Sequence, residues 1–432
     1  MDMLSSDLQE ISQKFPEYAE KVSQNHTWNF IFLMLDSSCF SFSVALLSVD
    51  TILPYFITHL TDARVWVGVV SALYFWGFYF PQIIGAYIAN KKPLRKWTIF
   101  WVAIAERAGI LMIALLVQVS HLLTKSETLA LFLVAYAIFA VTNGLIGPAY
   151  ADFISKSINR NRGTFYGATN ALSGLIGFGA SLFAQQMLDR YTFPINLQIM
   201  FWVAFASSFI SPFLMANFRE IPYPIKRKVE TVKEFVQKIP STLVKYPVFA
   251  RYLAIRSLIG VGLMANSFYA IYSMKNFNLT EGVLGIYTMI ILLTQSVLGV
   301  IWGRIGDRFG FKLVYILATA FLGAQAFIAL TARQPWLFYI VFFCIGGIVG
   351  ATRVSDTNIL FEIAPPDETS RFIGITNTLI SPVLAISPLV AGLLIDHISY
   401  PALFTVDFII VIIAFVTTVF WLPDPRRIKR QS

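Results

Sequence analysis

Charge is scarce in this chain. Asp, Glu, Lys and Arg together make up 13% of its 432 residues, against 56% hydrophobic residues, and the mean hydropathy is +0.67. A water-soluble protein of this size has no interior large enough to hide that much apolar side chain. Cysteine is nearly absent: Cys39 and Cys344 are the only two, and both fall inside apolar runs, so no disulfide framework or zinc ribbon is expected. The four histidines, His26, His59, His121 and His397, stand singly near the ends of such runs without metal-ligand spacing. No glycine-rich loop ending in Lys-Ser or Lys-Thr is present to cradle a nucleotide phosphate. With no catalytic constellation either, the chain does not read as an enzyme, and no cofactor or metal is expected. Residues 1–27 are polar and carry no apolar core of a cleaved signal peptide; Ser6 with Gln9 resembles a capping box that would open a short surface helix.

Long apolar runs are abundant. A membrane span takes roughly 20 apolar residues, and twelve segments qualify: 29–58, 66–88, 97–119, 128–150, 164–187, 198–216, 249–274, 282–302, 313–331, 336–358, 372–394 and 402–422. The net charge of +9 is distributed by side and does not point to nucleic acid. With the N-terminus inside, 25 of the 33 Lys and Arg fall in cytoplasmic segments, counting Arg251 at the inner end of span 7, and 5 in outer loops, the positive-inside pattern. The expected class is therefore an all-α polytopic membrane protein with both termini cytoplasmic, in the cell (plasma or inner) membrane. The chain divides into a cytoplasmic segment (1–28), six spans (29–216), a polar linker (217–248), six spans (249–422) and a basic tail (423–432). Within the linker, Val232, Phe235, Val236 and Ile239 fall at helical spacing, as in an amphipathic helix lying on the inner membrane surface.

The few charges inside the spans are candidates for function, because an ionisable group in hydrocarbon is costly unless paired or hydrated. Asp36 stands about 10 Å into span 1, at 1.5 Å per residue; Asp50 lies near its outer rim. Span 3 carries Glu106 and Arg107, whose side chains leave the helix about 100° apart, so each is expected to find a partner on another helix. Arg256 in span 7 aligns with Asp36 in span 1, which suggests a pair that closes in one state and opens in another. Arg353 and Asp356 in span 10 are three apart and can pair along the helix. Asn143, Asn266, Tyr269 and Gln295 are polar groups in spans that need partners, either a substrate or another helix. Span 2 holds six aromatics in seven residues, Tyr74 to Phe80, which point all round the helix and read chiefly as packing.

The second half of the chain repeats the first. Gly374-x-Thr376-Asn377-x-Leu379 matches Gly167-x-Thr169-Asn170-x-Leu172, and Gly347-Ile348-Val349-Gly350 matches Gly144-Leu145-Ile146-Gly147. Offsets of half the chain length point to duplication of a six-span unit. Between spans 8 and 9 lies Gly303-Arg304-Ile305-Gly306-Asp307-Arg308-Phe309-Gly310-Phe311-Lys312. Its order Gly-x-x-x-Asp-Arg-x-Gly-x-Lys resembles the signature loop of the major facilitator superfamily (MFS) of transporters. A sister copy between spans 2 and 3 runs from Gly85 to Lys96 and includes Arg95, but has Asn90 where the family carries an acid.

The resemblance covers nearly the whole chain. It implies twelve transmembrane helices in two pseudo-symmetric six-helix bundles around a cavity lined by spans 1, 4, 7 and 10. It further implies transport by alternating access, with Gly303, Asp307, Arg308, Gly310 and Lys312, and their counterparts Gly85, Asn90 and Arg95, bracing the halves on the cytoplasmic side. The expected partners are the lipid bilayer, a small-molecule substrate and a proton as coupling ion, bound by a monomer, with Asp36 and Glu106 as the groups able to carry that proton. Export of drug-like or amphipathic compounds is the first reading. Sugar or metabolite uptake, or uniport, is the second; a non-transporting sensor or assembly factor on the same fold is the third.

Overall fold

A computed structural model describes residues 14–91, 93–158, 160–224, 232–365 and 368–424, without the side chains of 89–91, 162, 163 and 370. The predicted capping box at Ser6 and most of the basic tail lie outside these residues. Among the described residues, twelve helices are long and apolar enough to cross a membrane. They are Pro16–Leu46, Val65–Ile88, Lys96–Leu122, Lys125–Ser157, Thr164–Arg190, Ile195–Ala216, Pro247–Phe277, Val283–Phe309, Phe311–Thr331, Leu337–Ile363, Arg371–His397 and Tyr400–Phe420, here spans 1 to 12. An even number of crossings returns the chain to its starting side. That side is called the terminal face, and the other the opposite face.

Several helices outrun their apolar sequence. Span 1 begins at Pro16, with proline in the first turn where its missing N–H costs nothing. Residues 16–28, expected within the polar cytoplasmic segment, are thus continuous with the first span. Two spans are broken. Span 1 stops at Leu46 and a second helix, Ile52–Leu60, follows. Span 7 consists of Pro247–Val261 and Asn266–Phe277, separated by turns at 262–265. The predicted hairpin between spans 8 and 9 is shorter than expected. Span 8 stays helical through Phe309, and the reversal is made at Gly310 alone, whose φ of 95° is open to glycine and strained for other residues. Lys312 then donates to the Val419 carbonyl at 2.9 Å, tying the turn to the end of span 12, where a cation suits the exposed carbonyls.

Packing follows the sequence repeat. Span 1 lies on spans 5 and 6, span 3 on 4 and 6, and span 2 on 4; spans 7, 9 and 8 repeat these contacts six spans on. The halves meet along two seams, span 2 against span 11 and span 5 against span 8. Small residues set both. A Cβ on Gly68 would fall 2.2 Å from the Pro388 carbonyl oxygen, one on Gly392 2.5 Å from Val65 Cα, and one on Gly285 2.5 Å from the Gln185 nitrogen. Backbones at that distance gain close van der Waals contact that a bulkier residue forbids.

The buried core is forked. Toward the opposite face one cluster joins both halves, with Phe56, Phe132 and Phe201 from the first and Phe268, Tyr287 and Phe342 from the second. Toward the terminal face there are two clusters. One contains Leu33, Ile99, Phe153 and Phe218 of the first half; the other contains Phe249, Tyr252, Trp302 and Phe372 of the second. The linker helix Val232–Lys245 departs from the expected surface arrangement. Ile239 is buried in the second-half cluster and Phe235 packs on Gly374, whereas Val236 and Val244 are exposed. Its apolar residues are thus divided between the protein and the outside.

Candidate functional site

The charges inside the spans collect into two networks, one in each half. In the first, Asp36 is buried on span 1. Its carboxylate accepts hydrogen bonds from the Tyr150 hydroxyl at 2.7 Å and from the Ser211 hydroxyl. Ser211 in turn accepts from Arg107 Nη2 at 2.7 Å. Arg107 also donates from Nε to the Ser208 carbonyl at 3.1 Å and pairs with Glu106 beside it. Glu106 takes a further bond from Asn143 Nδ2 at 2.6 Å. The result is one continuous path, Asn143–Glu106–Arg107–Ser211–Asp36–Tyr150, across spans 4, 3, 6, 1 and back to 4. The expectation that Glu106 and Arg107 find partners on other helices agrees with this geometry. The two also meet directly, since the long arginine arm spans the angle between neighbouring helix positions.

The second network lies six spans on. Arg256 of span 7 is buried and grips Asp356 of span 10 through Nε at 3.1 Å and Nη2 at 3.0 Å. The Tyr315 hydroxyl of span 9 donates to the other carboxylate oxygen of Asp356, and the Tyr252 and Tyr315 hydroxyls are 3.1 Å apart. Charge-assisted bonds of this kind hold both ions in place where water is excluded. Two predicted pairs are therefore replaced. Asp356 belongs to Arg256 and not to Arg353, because both its oxygens are already engaged. Arg256 is held by Asp356 and interacts with Tyr79 of span 2, so Asp36 and Arg256 do not meet in this state.

Other predicted residues lie elsewhere. Asn266 and Tyr269 are buried within the second half and do not face an opening. Gln325 Nε2 donates to Asn266 Oδ1 at 3.0 Å, and the Tyr269 hydroxyl donates to Asp407 Oδ2 at 3.2 Å. Asp407 Oδ1 and Gln325 Oε1 have no hydrogen-bond partner among the described residues. Gln295 is half-buried, with its backbone against Gly350. Gly303, Asp307 and Arg308 are on the last turns of span 8, Asp307 and Arg308 exposed. On the sister connection, Gly85 brings span 2 against the Leu145 carbonyl, where a Cβ would stand 2.4 Å away. The Asn90 side chain lies outside the described residues. Arg95 finds its acid elsewhere: Asp152 at the end of span 4, at 2.7 Å, which also receives Lys156 at 2.6 Å. Glu220 caps the start of span 3 by accepting from the Arg95 and Lys96 amides at 2.8 and 2.7 Å.

The seams carry polar contacts of their own near the opposite face. Thr51 and Thr288 hydroxyls are 2.6 Å apart, and Ser71 and Ser267 hydroxyls 2.7 Å, all buried. Asp396 of span 11 accepts from the Arg64 and Val65 amides at 2.6 and 2.8 Å, capping span 2 from the other half. Asn196 donates to Glu281 at 3.0 Å. Toward the terminal face the groups between the halves are more open. Asp356 keeps 27% of its side-chain surface, Arg353 is exposed, and Tyr74 and Tyr79 are half-exposed.

Sequence reasoning missed Tyr150, Ser211, Tyr315, Glu220 and Asp396. The first three are neutral, so they carry no warning of cost in an apolar run. The last two lie just beyond the apolar boundaries, where a charge reads as an ordinary loop residue.

Comparisons with known proteins agree with this architecture. Residues 256–432 match the family model of the Major Facilitator Superfamily. The fold is similar to that of a point mutant of the nucleoside transporter NupG, with a TM-score of 0.73 at 11% identity, covering 91% of this chain and 99% of that one. It is also similar to a D-xylose-proton symporter, with a TM-score of 0.68 at 14% identity, covering 92% and 98%. A tetracenomycin C resistance and export protein of Streptomyces glaucescens is 28% identical over 137 residues, 31% of this chain and 25% of that relative. The aligned stretch thus spans about a quarter of that relative's length. The chain is thus similar over its second half to the Major Facilitator Superfamily, and over nearly its whole length it has the fold of these solute transporters, with the twelve apolar helices of a multi-pass membrane protein.

Proposed function

We propose that the chain is a secondary active transporter that moves a small organic solute by alternating access, coupled to protons. The observation that carries this reading is the forked core. Apolar packing joins the halves toward the opposite face and parts into one cluster per half toward the terminal face. A molecule built this way has one side sealed and the other parted. The seals are glycine contacts and hydroxyl pairs, which separate without leaving a bulky side chain stranded. With the terminal face toward the cytoplasm, as the basic loops favour, the structure corresponds to an inward-open state.

The proton carriers in this reading are Asp36 and Glu106. They sit on one hydrogen-bonded path through Arg107 and Ser211, so a proton gained at either end redistributes bonds across four spans. Arg256, Asp356 and Arg107 hold the spans in register, while Gly303, Gly310, Asp307, Arg308 and Lys312 govern the approach of the halves at the terminal face. Export of an amphipathic compound is the favoured direction, supported by the partial likeness to an export protein. The test is internal pH in proteoliposomes during addition of candidate solutes, for wild type and Asp36→Asn. Solute-dependent proton flux that disappears in Asp36→Asn is expected. Solute flux without proton movement in the wild type refutes the coupling.

A further inference from the structure

Asp407 is the only charged residue in the sequence of span 12, and neither network uses it. It stands seven residues from the start of that span, about 10 Å along the helix from the opposite face, and is fully buried. Its Oδ2 accepts from the Tyr269 hydroxyl at 3.2 Å, and its Oδ1 meets no donor among the described residues. Gln325 of span 9 is fully buried too. Its amide N–H goes to Asn266, and its Oε1 likewise meets no described donor.

These groups lie together. Asn266 and Tyr269 are three apart in the second helix of span 7 and so share a face; one takes Gln325 and the other Asp407. Around them spans 7, 9 and 12 are in contact. The Tyr269 ring stacks on Phe404 at 5.1 Å, and the Phe327 and Phe408 rings are 5.8 Å apart. One turn beyond Asp407, the two Val411 methyls stand 2.7 Å from a Cβ built on Gly262 and 3.8 Å from one built on Gly323. Gly262 is where span 7 breaks. Two oxygens short of a donor thus share one apolar enclosure. A carboxylate in such a place is costly, and taking up a proton resolves the cost. The proton removes the charge and turns one acceptor into a donor.

We propose that Asp407, with Gln325 and Tyr269 about it, is a proton-binding site of the second half, occupied while the opposite face is closed. A proton from solvent adds to Asp407 Oδ1 and gives the neutral acid. The new O–H donates to Gln325 Oε1, and Tyr269 goes on donating to Oδ2; no other bond changes. This rests on the proton-coupled transport reading and adds to Asp36 and Glu106 a site nearer the opposite face. Other titratable groups stand further off. Tyr272 of span 7 and Tyr400 of span 12, with rings 5.2 Å apart, lie toward the opposite face, and Cys344 of span 10 is buried behind Tyr269. Asp396 and His397 are exposed at the end of span 11, and Arg256 in the first helix of span 7 is held by Asp356.

The site adjoins the seal. Between Asn266 and Tyr269, Ser267 meets Ser71 of span 2 across the halves at 2.7 Å, and Phe268 belongs to the shared apolar cluster. One short stretch therefore faces the proton on one side and the seam on the other. Losing the proton sets two acceptors against each other and loosens that stretch.

The test uses the purified full chain in detergent. Infrared difference spectra at neutral pH should show the C=O stretch of a protonated carboxyl in wild type that Asp407→Asn lacks. Tyr269→Phe should move that band to higher frequency by removing the hydrogen bond to its carbonyl. A wild type without the band, or a band that Tyr269→Phe leaves in place, overturns the proposal. Thermal unfolding gives a second readout. A group protonated in the fold and ionised in the unfolded chain contributes stability that is lost as pH rises. The margin of Asp407→Asn over wild type should therefore widen from pH 5 to pH 8, by up to about tenfold in the unfolding equilibrium per pH unit; a constant margin overturns the proposal. The link to the seal is read with Thr288→Cys in a background without native cysteines, labelled from the opposite face by an impermeant maleimide. The labelling rate with Asp407, relative to that with Asp407→Asn in the same buffer, should rise severalfold from pH 6 to pH 8, and an unchanged ratio overturns that link. Proton flux in proteoliposomes is measured separately. The infrared band without solute-driven flux leaves the site standing and removes the transport reading.

Discussion

At the residue scale, the decisive quantity is whether a buried polar atom has a partner. Asp36 is satisfied twice over and Asp356 on both oxygens, whereas Asp407 is fully buried with one oxygen bonded to Tyr269 and the other to no described residue. Gln325 offers a second unpartnered acceptor in the same cluster. Asp407→Asn supplies an N–H donor where acceptors are in excess. We expect it to raise the thermal unfolding midpoint in detergent by the equivalent of about 1–3 kcal/mol, the cost of an unsatisfied buried group. A lowered midpoint would show that a bound cation or water completes the cluster. The same accounting explains what the sequence concealed. Asp36, Glu106, Arg107 and Arg256 announced themselves as ions in apolar runs. Their partners are tyrosine, serine and asparagine, whose roles become visible only when helices distant in sequence are brought together.

At the element scale, hydropathy locates the spans and cannot locate their true ends. Span 4 was expected over 128–150 and runs Lys125–Ser157; span 10 was expected over 336–358 and runs Leu337–Ile363. The extra turns project beyond the apolar layer and are held by polar groups, Lys156 on Asp152 among them. A scale that measures only apolarity is blind to them. The breaks in spans 1 and 7 were hidden for the converse reason, since the sequence stays apolar while the backbone turns. Contact between spans 2 and 11 depends on Gly68, whose missing side chain admits the Pro388 carbonyl. Gly68→Leu should wedge that seam apart. With Cys39 and Cys344 removed and Thr288→Cys introduced, labelling by a membrane-impermeant maleimide from the opposite face should be slow in the parent, where Thr288 is 3% exposed, and rise at least severalfold in Gly68→Leu. An unchanged labelling rate would show that the seam is not what closes that face.

At the scale of the whole molecule, the contacts among the first six spans recur among the second six. The relative position of the halves is then set by two seams and a shared apolar cluster. If reversal of the molecule carries the solute, fixing the closed end must stop it. The Thr51 and Thr288 hydroxyls, 2.6 Å apart across the halves, are suited to a cysteine pair, since side chains already in contact can form a disulfide with little backbone movement. Thr51→Cys with Thr288→Cys, in the background lacking native cysteines, should lose solute flux on oxidation and regain it on reduction, with either single variant unaffected by oxidant. Flux that survives complete cross-linking would place the moving boundary elsewhere.

The forked core also constrains how such a reversal responds to temperature. Opening the face that is now closed divides the shared cluster. Closing the face that is now parted fuses the two separate ones. Apolar surface lost from contact at one end is regained at the other, so the total exposed to water stays nearly level through the cycle. Heat-capacity change follows exposed apolar area, and here it should be small. The balance between the two states then drifts little from cold to warm, and the choice between them falls to whatever sits in the middle.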